Sequence, residues 1–285
     1  MRLRAALIRT ALNTTTHVAP GLAGRWALHF YRHPAVRVAM RPAEEPMMRR
    51  ATRDRLTIAG KETIVYSWGD GRRPVLLTHG WLSRASRLTP LAEALLDAGY
   101  SPVTFDAPGC GESAGRETSI LEYRELARRL HAEHGRFAAA VGHSVGGLSL
   151  FFALRDEVKA DRLVAIAAPA EFGYLVDGFR ASLELSHRLV PRLRRDIERR
   201  VFPDEPDIWR RFSATHRPAE LTMPMLLVHD EADDMIDIGQ SRMVAAAYEG
   251  QARLLVTSGL GHRRIIADPA VIEEVLDFLS ADDIG

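Results

Sequence analysis

Cysteine occurs once in this 285-residue chain, at Cys110, and lysine twice, at Lys61 and Lys159. A single cysteine excludes an intrachain disulfide, and a reducing compartment fits that usage. With so little lysine, arginine carries nearly all the positive charge, which reads as a composition bias of the genome. No run of about 18 apolar residues occurs, so no membrane-spanning helix is expected. A basic excess is also missing: 38 Lys and Arg against 37 Asp and Glu give a formal net charge of +1. A dedicated nucleic-acid binder carries a clear positive surplus, so no nucleic-acid partner is expected. Neither an internal repeat nor a low-complexity segment is evident. What remains is the composition of an ordinary soluble globular protein, 46% hydrophobic and 26% charged. The length suits one large α/β domain with an insertion, or two small domains.

Acidic residues are absent from the first 43 positions, which hold Arg2, Arg4, Arg9, Arg25, Arg32, Arg37 and Arg41 before Glu44. The stretch "AALI" is too short for the apolar core of a secretory signal. Three readings stay open. The segment lies on an anionic membrane surface as a basic amphipathic helix. It is an organelle transit peptide. Or it is a pair of helices packed on the body of the protein with arginines facing water. Residues 1–53 are set apart on this ground as a basic helical segment. The expected location is cytoplasmic, with or without peripheral membrane contact.

From Arg55 onward strands and helices alternate. "RLTIAG" and "ETIVYSWG" read as an antiparallel hairpin around Gly60-Lys61. "PVLLTHG", "SPVTFDAPG", "FAAAVGHS", "RLVAIAAPA", "MPMLLVHD" and "ARLLVTSG" are short apolar strands. Between them, "PLAEALLDAGY", "TSILEYRELARRLHAEHG" and "VGGLSLFFALR" have helical character, and "DPAVIEEVLDFLS" closes the chain. The second of these helices is capped by Thr118 or Ser119 and ends at Gly135. This alternation implies a mostly parallel sheet covered on both faces.

Residues 171–218 break the rhythm, with no strand-like run and a dense set of arginines. The segment reads as a helical lid over the catalytic face; the alternative is one long crossover packed on the sheet. Phe179, Leu183, Leu185, Leu189, Val190, Leu193 and Ile197 are spaced to form an apolar underside that could roof an acyl chain. Residues 54–170 and 219–285 then form the core of the domain.

The string Gly142-His143-Ser144-Val145-Gly146 fits G-x-S-x-G, between an apolar strand and an apolar helix. In that context the serine stands on a strained turn, and neighbours two residues away must lack bulk. A helix opening just after Ser144 aims free N–H groups, Val145 first, at developing negative charge. A neutral serine needs a base to take its proton. Of the later histidines, His262 lies in a glycine-containing loop beyond a strand, at the end of the sheet where the elbow sits. His187 and His216 fall in or beside the lid segment, His229 at a strand end, and His143 should point away from the serine. The base needs a carboxylate to fix its tautomer. "LLVHDEADDMID" offers Asp230, Asp233, Asp234 and Asp237; spacing from the strand end favours Asp233, with Asp234 second.

Four motifs resemble the α/β-hydrolase family over roughly residues 54 to 280. "THGW" resembles its His-Gly turn, and "FDAPGCGES" its D-x-P-G-x-G-x-S segment. "GHSVGG" matches the elbow, and "HDEADDMI" resembles its H-G-x-x-D-x-x-V acid loop, placing the acid at Asp233. "GLGHRRI" is a weaker match to the histidine loop. In the acid loop Asp230 replaces the glycine, and Asp237 stands where proline is common. The resemblance implies an α/β-hydrolase fold with a helical cap and a Ser144–Asp233–His262 triad. Its implied oxyanion hole is made by the backbone N–H groups of Trp81 and Val145. It requires no cofactor and no metal. The expected activity is cleavage of a small-molecule ester or thioester through an acyl-enzyme. Alternatives on the same fold are an acyltransferase, a peptidase, a haloperoxidase, a carbon–carbon hydrolase, or a non-catalytic binding protein. Asp106 and Ser113 are expected to be structural and Cys110 inert; the Trp81 side chain lines the acyl pocket or packs in the core.

Overall fold

The computed structural model describes residues 2–33 and 37–281, with backbone alone for residues 2–6. Eight strands form one sheet in the order β1-β2-β4-β3-β5-β6-β7-β8. β1 (Thr52–Ile58) and β2 (Lys61–Ser67) make an antiparallel hairpin. Its turn residues, Ala59 and Gly60, both have positive φ, the geometry whose twist matches the flanking strands. β1 starts three residues ahead of Arg55 and is largely exposed, because it forms the sheet edge. β3 (Pro74–Thr78), β4 (Ser101–Phe105), β5 (Ala139–His143), β6 (Leu163–Ile166) and β7 (Met225–Asp230) are buried at every position. Strands covered on both faces need continuous apolar runs. β8 (Ala252–Thr257) completes the other edge. From β4 to β8 all pairings are parallel.

The helices follow in chain order. α1 (Arg2–Val18), α2 (Pro20–Arg32) and the single turn α3 (Glu45–Arg49) precede the sheet. α4 (Thr89–Asp97), α5 (Ile120–His134) and α6 (Val145–Leu154) follow β3, β4 and β5. α7 (Tyr174–Ser182), α8 (Val190–Arg200) and α9 (Ile208–Arg211) occupy the connection from β6 to β7. α10 (Ile238–Ala247) and α11 (Gly261–Arg264) flank β8, and α12 (Pro269–Ser280) ends the described chain. Ser119, not Thr118, caps α5: its hydroxyl accepts from the Glu122 N–H. α6 is buried at all ten positions, which is why its sequence is apolar on every side.

Two apolar layers cover the sheet, one including Leu126, Leu130 and Phe151, the other Leu91, Leu95, Val271 and Val275. The first layer extends outward without a break. It takes in Leu12 of α1, Ala23, Ala27 and Leu28 of α2, and Leu189, Leu193 and Ile197 in and beside α8. α2 and α8 are in contact, and Gly24 marks how closely. A Cβ there would lie 2.6 Å from Arg192 Cγ and 2.8 Å from Asp196 Oδ2. The N-terminal arginines are used in this packing. Arg9 pairs with Glu184, Arg32 pairs with Glu117, and Arg37 donates to the carbonyls of Gly111, Ser113 and Gly115. Arg25 stays exposed. No helix among the described residues is long and apolar enough to cross a membrane.

Candidate active site

Parallel pairing brings the C-terminal ends of β3, β5, β6 and β7 into line, with Thr78 opposite Gly142 and His143 opposite Ile166. Ser144 leaves β5 at φ 56 and ψ −126 and opens α6. A non-glycine residue there stores roughly 1–3 kcal/mol of backbone strain. The Ser144 N–H donates to the Ile166 carbonyl at 2.9 Å, which holds the turn. The flanking glycines admit no side chain. A Cβ on Gly142 would lie 2.6 Å from the Gly147 backbone, and one on Gly146 2.4 Å from the Thr78 carbonyl oxygen.

His262 reaches Ser144 from α11, the short helix that follows β8. Its Nε2 lies 3.1 Å from Ser144 Oγ, and its Nδ1 lies 2.8 Å from Asp233 Oδ2. The carboxylate assigns the tautomer: Nδ1–H donates to Asp233, and Nε2 is free to accept the serine proton. Ser144 is 7% exposed and His262 5% exposed. Asp233 Oδ1 also accepts from the N–H groups of Met235 and Ile236. Burial pushes the Asp233 carboxyl up, but hydrogen bonds from His262, Ile236 and Met235 outweigh it and hold the group below the usual carboxylate value.

The four acids of this loop separate by contact. Asp233 alone meets the His262 imidazole. Asp234 is exposed. Asp237 caps α10, accepting from the Gly239 N–H. Asp230 is fully buried and accepts from Ala232, Leu260 and Gly261 N–H and from the Thr257 hydroxyl.

Beside the serine runs the turn after β3. A Cβ on Gly80 would sit 3.0 Å from Ser144 Cβ, so the Gly80–Trp81 backbone passes directly by Ser144. His79 fixes this turn: its Nε2 accepts from the Ala107 N–H, and its Nδ1–H donates to the Gly80 carbonyl. Burial keeps that imidazole's pKa down. Neither the Trp81 N–H nor the Val145 N–H has an acceptor among the described residues. Two unsatisfied donors beside a serine can hold an oxyanion.

Two histidines have uses that sequence reasoning missed. His143 has no hydrogen bond to the serine hydroxyl among the described residues; its Nε2–H donates to the His262 carbonyl at 2.8 Å. Burial and then the neighbouring imidazole lower its pKa to about 3. His229 is fully buried, accepting from Ser241 and donating to the Ile236 carbonyl, with Nε2 3.5 Å from Asp233 Oδ2. The signal was present in each motif as an interior histidine, but the partner of His143 lies 119 residues on, and one of those of His229, Ser241, lies beyond the motif in α10. Asp106 accepts from Tyr66, Ala85 and Glu112, and Ser113 bridges Asp106 to Ile64. Burial, with Asp106 behind it, pushes the Cys110 thiol up to about 12, so it stays protonated and unreactive. Among the described residues no group of three or more His, Cys, Asp or Glu is placed to hold a metal ion.

A serine, a histidine and a carboxylate joined by hydrogen bonds above an open, mostly parallel sheet define a class of protein. Residues 75–275 match the Alpha/beta hydrolase family, and the chain belongs to it. A non-heme haloperoxidase from Rhodococcus erythropolis is 26% identical over 253 residues, with 71% of this chain and 90% of the relative covered. An esterase from Pyrococcus furiosus superposes with a TM-score of 0.63 at 19% identity, over 87% of this chain and 98% of that one. A monoacylglycerol lipase from Paleococcus ferrophilus gives 0.59 at 22% identity, over 76% of this chain and 98% of that one. Those two likenesses concern the fold.

Proposed function

We propose that the protein is a serine hydrolase that cleaves a small-molecule carboxylic ester or thioester through an acyl-enzyme. The observation that carries this is the unbroken relay from Asp233 Oδ2 through His262 to Ser144 Oγ, with links of 2.8 and 3.1 Å. His262 Nε2 takes the Ser144 proton as Oγ attacks the carbonyl carbon. The tetrahedral oxyanion is held by the N–H groups of Val145 and Trp81. Collapse expels the alcohol or thiol, which receives the proton from His262. Water then gives its proton to His262 and attacks the acyl carbon; the bond to Ser144 Oγ breaks, His262 returns the proton to Oγ, and the acid leaves. Asp233, kept ionised, stabilises the imidazolium at each stage.

In this reading residues 171–218 form the cap over the site, and the fold's haloperoxidase, acyltransferase and peptidase chemistries are the competing outcomes. An ester panel with a fluorophosphonate probe tests it. The expected result is turnover of p-nitrophenyl esters and covalent labelling at Ser144. Absence of both from folded protein would overturn it.

A second reading concerns where the enzyme works. α2 presents Arg25, Trp26, His29 and Phe30 outward, with Trp26 41% and Phe30 36% exposed. An aromatic and basic stripe of this kind suits peripheral contact with an anionic lipid surface from the cytoplasm. Sedimentation with phosphatidylserine vesicles should be lost when Trp26 and Phe30 become Ala. Equal sedimentation of both forms would remove this reading.

A further inference from the structure

Tyr31, on the inner side of α2, meets two aromatic rings from distant parts of the chain. Its ring stacks on Trp81, with centroids 6.2 Å apart and planes 29° apart. It meets Phe179 of α7 edge-on at 5.4 Å and 83°. Trp81 belongs to the turn that passes beside Ser144. The Trp81–Tyr31–Phe179 cluster therefore borders the approach to a serine that is only 7% exposed.

The Tyr31 hydroxyl has no hydrogen-bond partner among the described residues, so packing of the ring, not its hydroxyl, sets its place. The ring is held there by its helix. Gly24 seats α2 against Arg192 and Asp196 of α8, and Arg32 at the end of α2 pairs with Glu117. A pre-positioned ring next to a reacting centre sets a limit on what fits.

We propose that Tyr31 is a specificity-determining residue, an aromatic wall that stops the acyl chain of the ester bound at Ser144. The N-terminal segment thus completes the substrate channel together with α7. This rests on the ester-hydrolase reading above. Each buried methylene raises kcat/KM by roughly fourfold, until the chain meets the ring.

The test uses the full chain and p-nitrophenyl esters from acetate to dodecanoate. Wild type is compared with Tyr31→Ala, Tyr31→Phe and Val18→Ala, the last at an exposed position of α1. Tyr31→Ala should move the optimum to longer chains by about two carbons, and raise the dodecanoate-to-butanoate ratio of kcat/KM about fifteenfold. Tyr31→Phe and Val18→Ala should keep the wild-type optimum. An unchanged profile in Tyr31→Ala, or the same shift in Val18→Ala, would overturn the proposal. Should Tyr31→Ala not fold, Tyr31→Leu carries the same two expectations. A wild type that turns over no ester and takes no fluorophosphonate fails the hydrolase reading itself, and this proposal with it. A clear wild-type optimum that Tyr31→Ala retains fails this proposal alone.

Discussion

Asp230 Oδ1 accepts the backbone N–H of Gly261, the residue just before His262, at 2.9 Å. Its Oδ2 takes the Leu260 N–H at 3.0 Å and the Thr257 hydroxyl at 2.7 Å. The end of β7 is therefore tied to the loop leading into α11, which carries the imidazole. Burial pushes this carboxyl up, yet the hydrogen bonds led by Gly261 hold its pKa down. Asp230→Asn turns an amide toward those N–H donors and frees the loop. A small misplacement of a reacting group costs on the order of 10²-fold in rate, so kcat on an activated ester should fall by that order. Wild-type kcat in the variant would contradict this role.

Asp233→Asn should cost on the order of 10³–10⁴ in kcat, because the amide cannot stabilise the imidazolium or hold its tautomer. Asp234→Asn should stay close to wild type, since its carboxylate is exposed and off the ring. Paired kinetics on one ester decide between them. The reverse ranking would place the acid at Asp234.

His143 makes stability depend on pH. Its native pKa is about 3, while an unfolded histidine titrates near 6.5. Above that pH both states are neutral and no difference arises. Below it the unfolded chain binds a proton that the native chain refuses, so stability falls between pH ~6.5 and ~3. The loss should reach roughly 3 kcal/mol by pH ~4.5. Urea unfolding across this range should show a shallower pH slope for His143→Gln. Equal slopes would sink the assignment.

Much of the fold was legible because buried parallel strands and α6 leave apolar runs that glycines and turn residues punctuate. Ser144 was legible for a local reason: the elbow needs small neighbours, and they appear as a spaced pair. Long-range pairings were not legible. Asp230 read as a substitution for glycine, and its partners lie some 30 residues on, at Leu260 and Gly261. The arginines before Glu44 read as a charged face, yet Arg9 and Arg32 meet Glu184 and Glu117, far along the chain. The apolar stripe around α8 read as a roof for substrate; Leu189, Leu193 and Ile197 instead join the core that α2 shares. No periodicity within one segment specifies such a partner.

Two glycines offer a contrast in packing. A Cβ on Gly146 would lie 2.4 Å from Thr78 O and 2.5 Å from His79 O, both backbone atoms. Gly146→Ala should cost about 1–3 kcal/mol of stability, as overpacking does, and spoil the elbow. Gly178, inside α7, has nothing within 4 Å of its Cβ position. Gly178→Ala should gain up to about 1 kcal/mol from helix propensity. Thermal unfolding of both variants checks this, and a stable Gly146→Ala would contradict the close approach.

The most direct measurement is ester turnover and fluorophosphonate labelling of Ser144→Ala beside wild type, with thermal unfolding of both. The account predicts an unchanged unfolding midpoint, no labelling, and turnover reduced to background. Undiminished turnover by folded Ser144→Ala would contradict the nucleophile and the mechanism built on it.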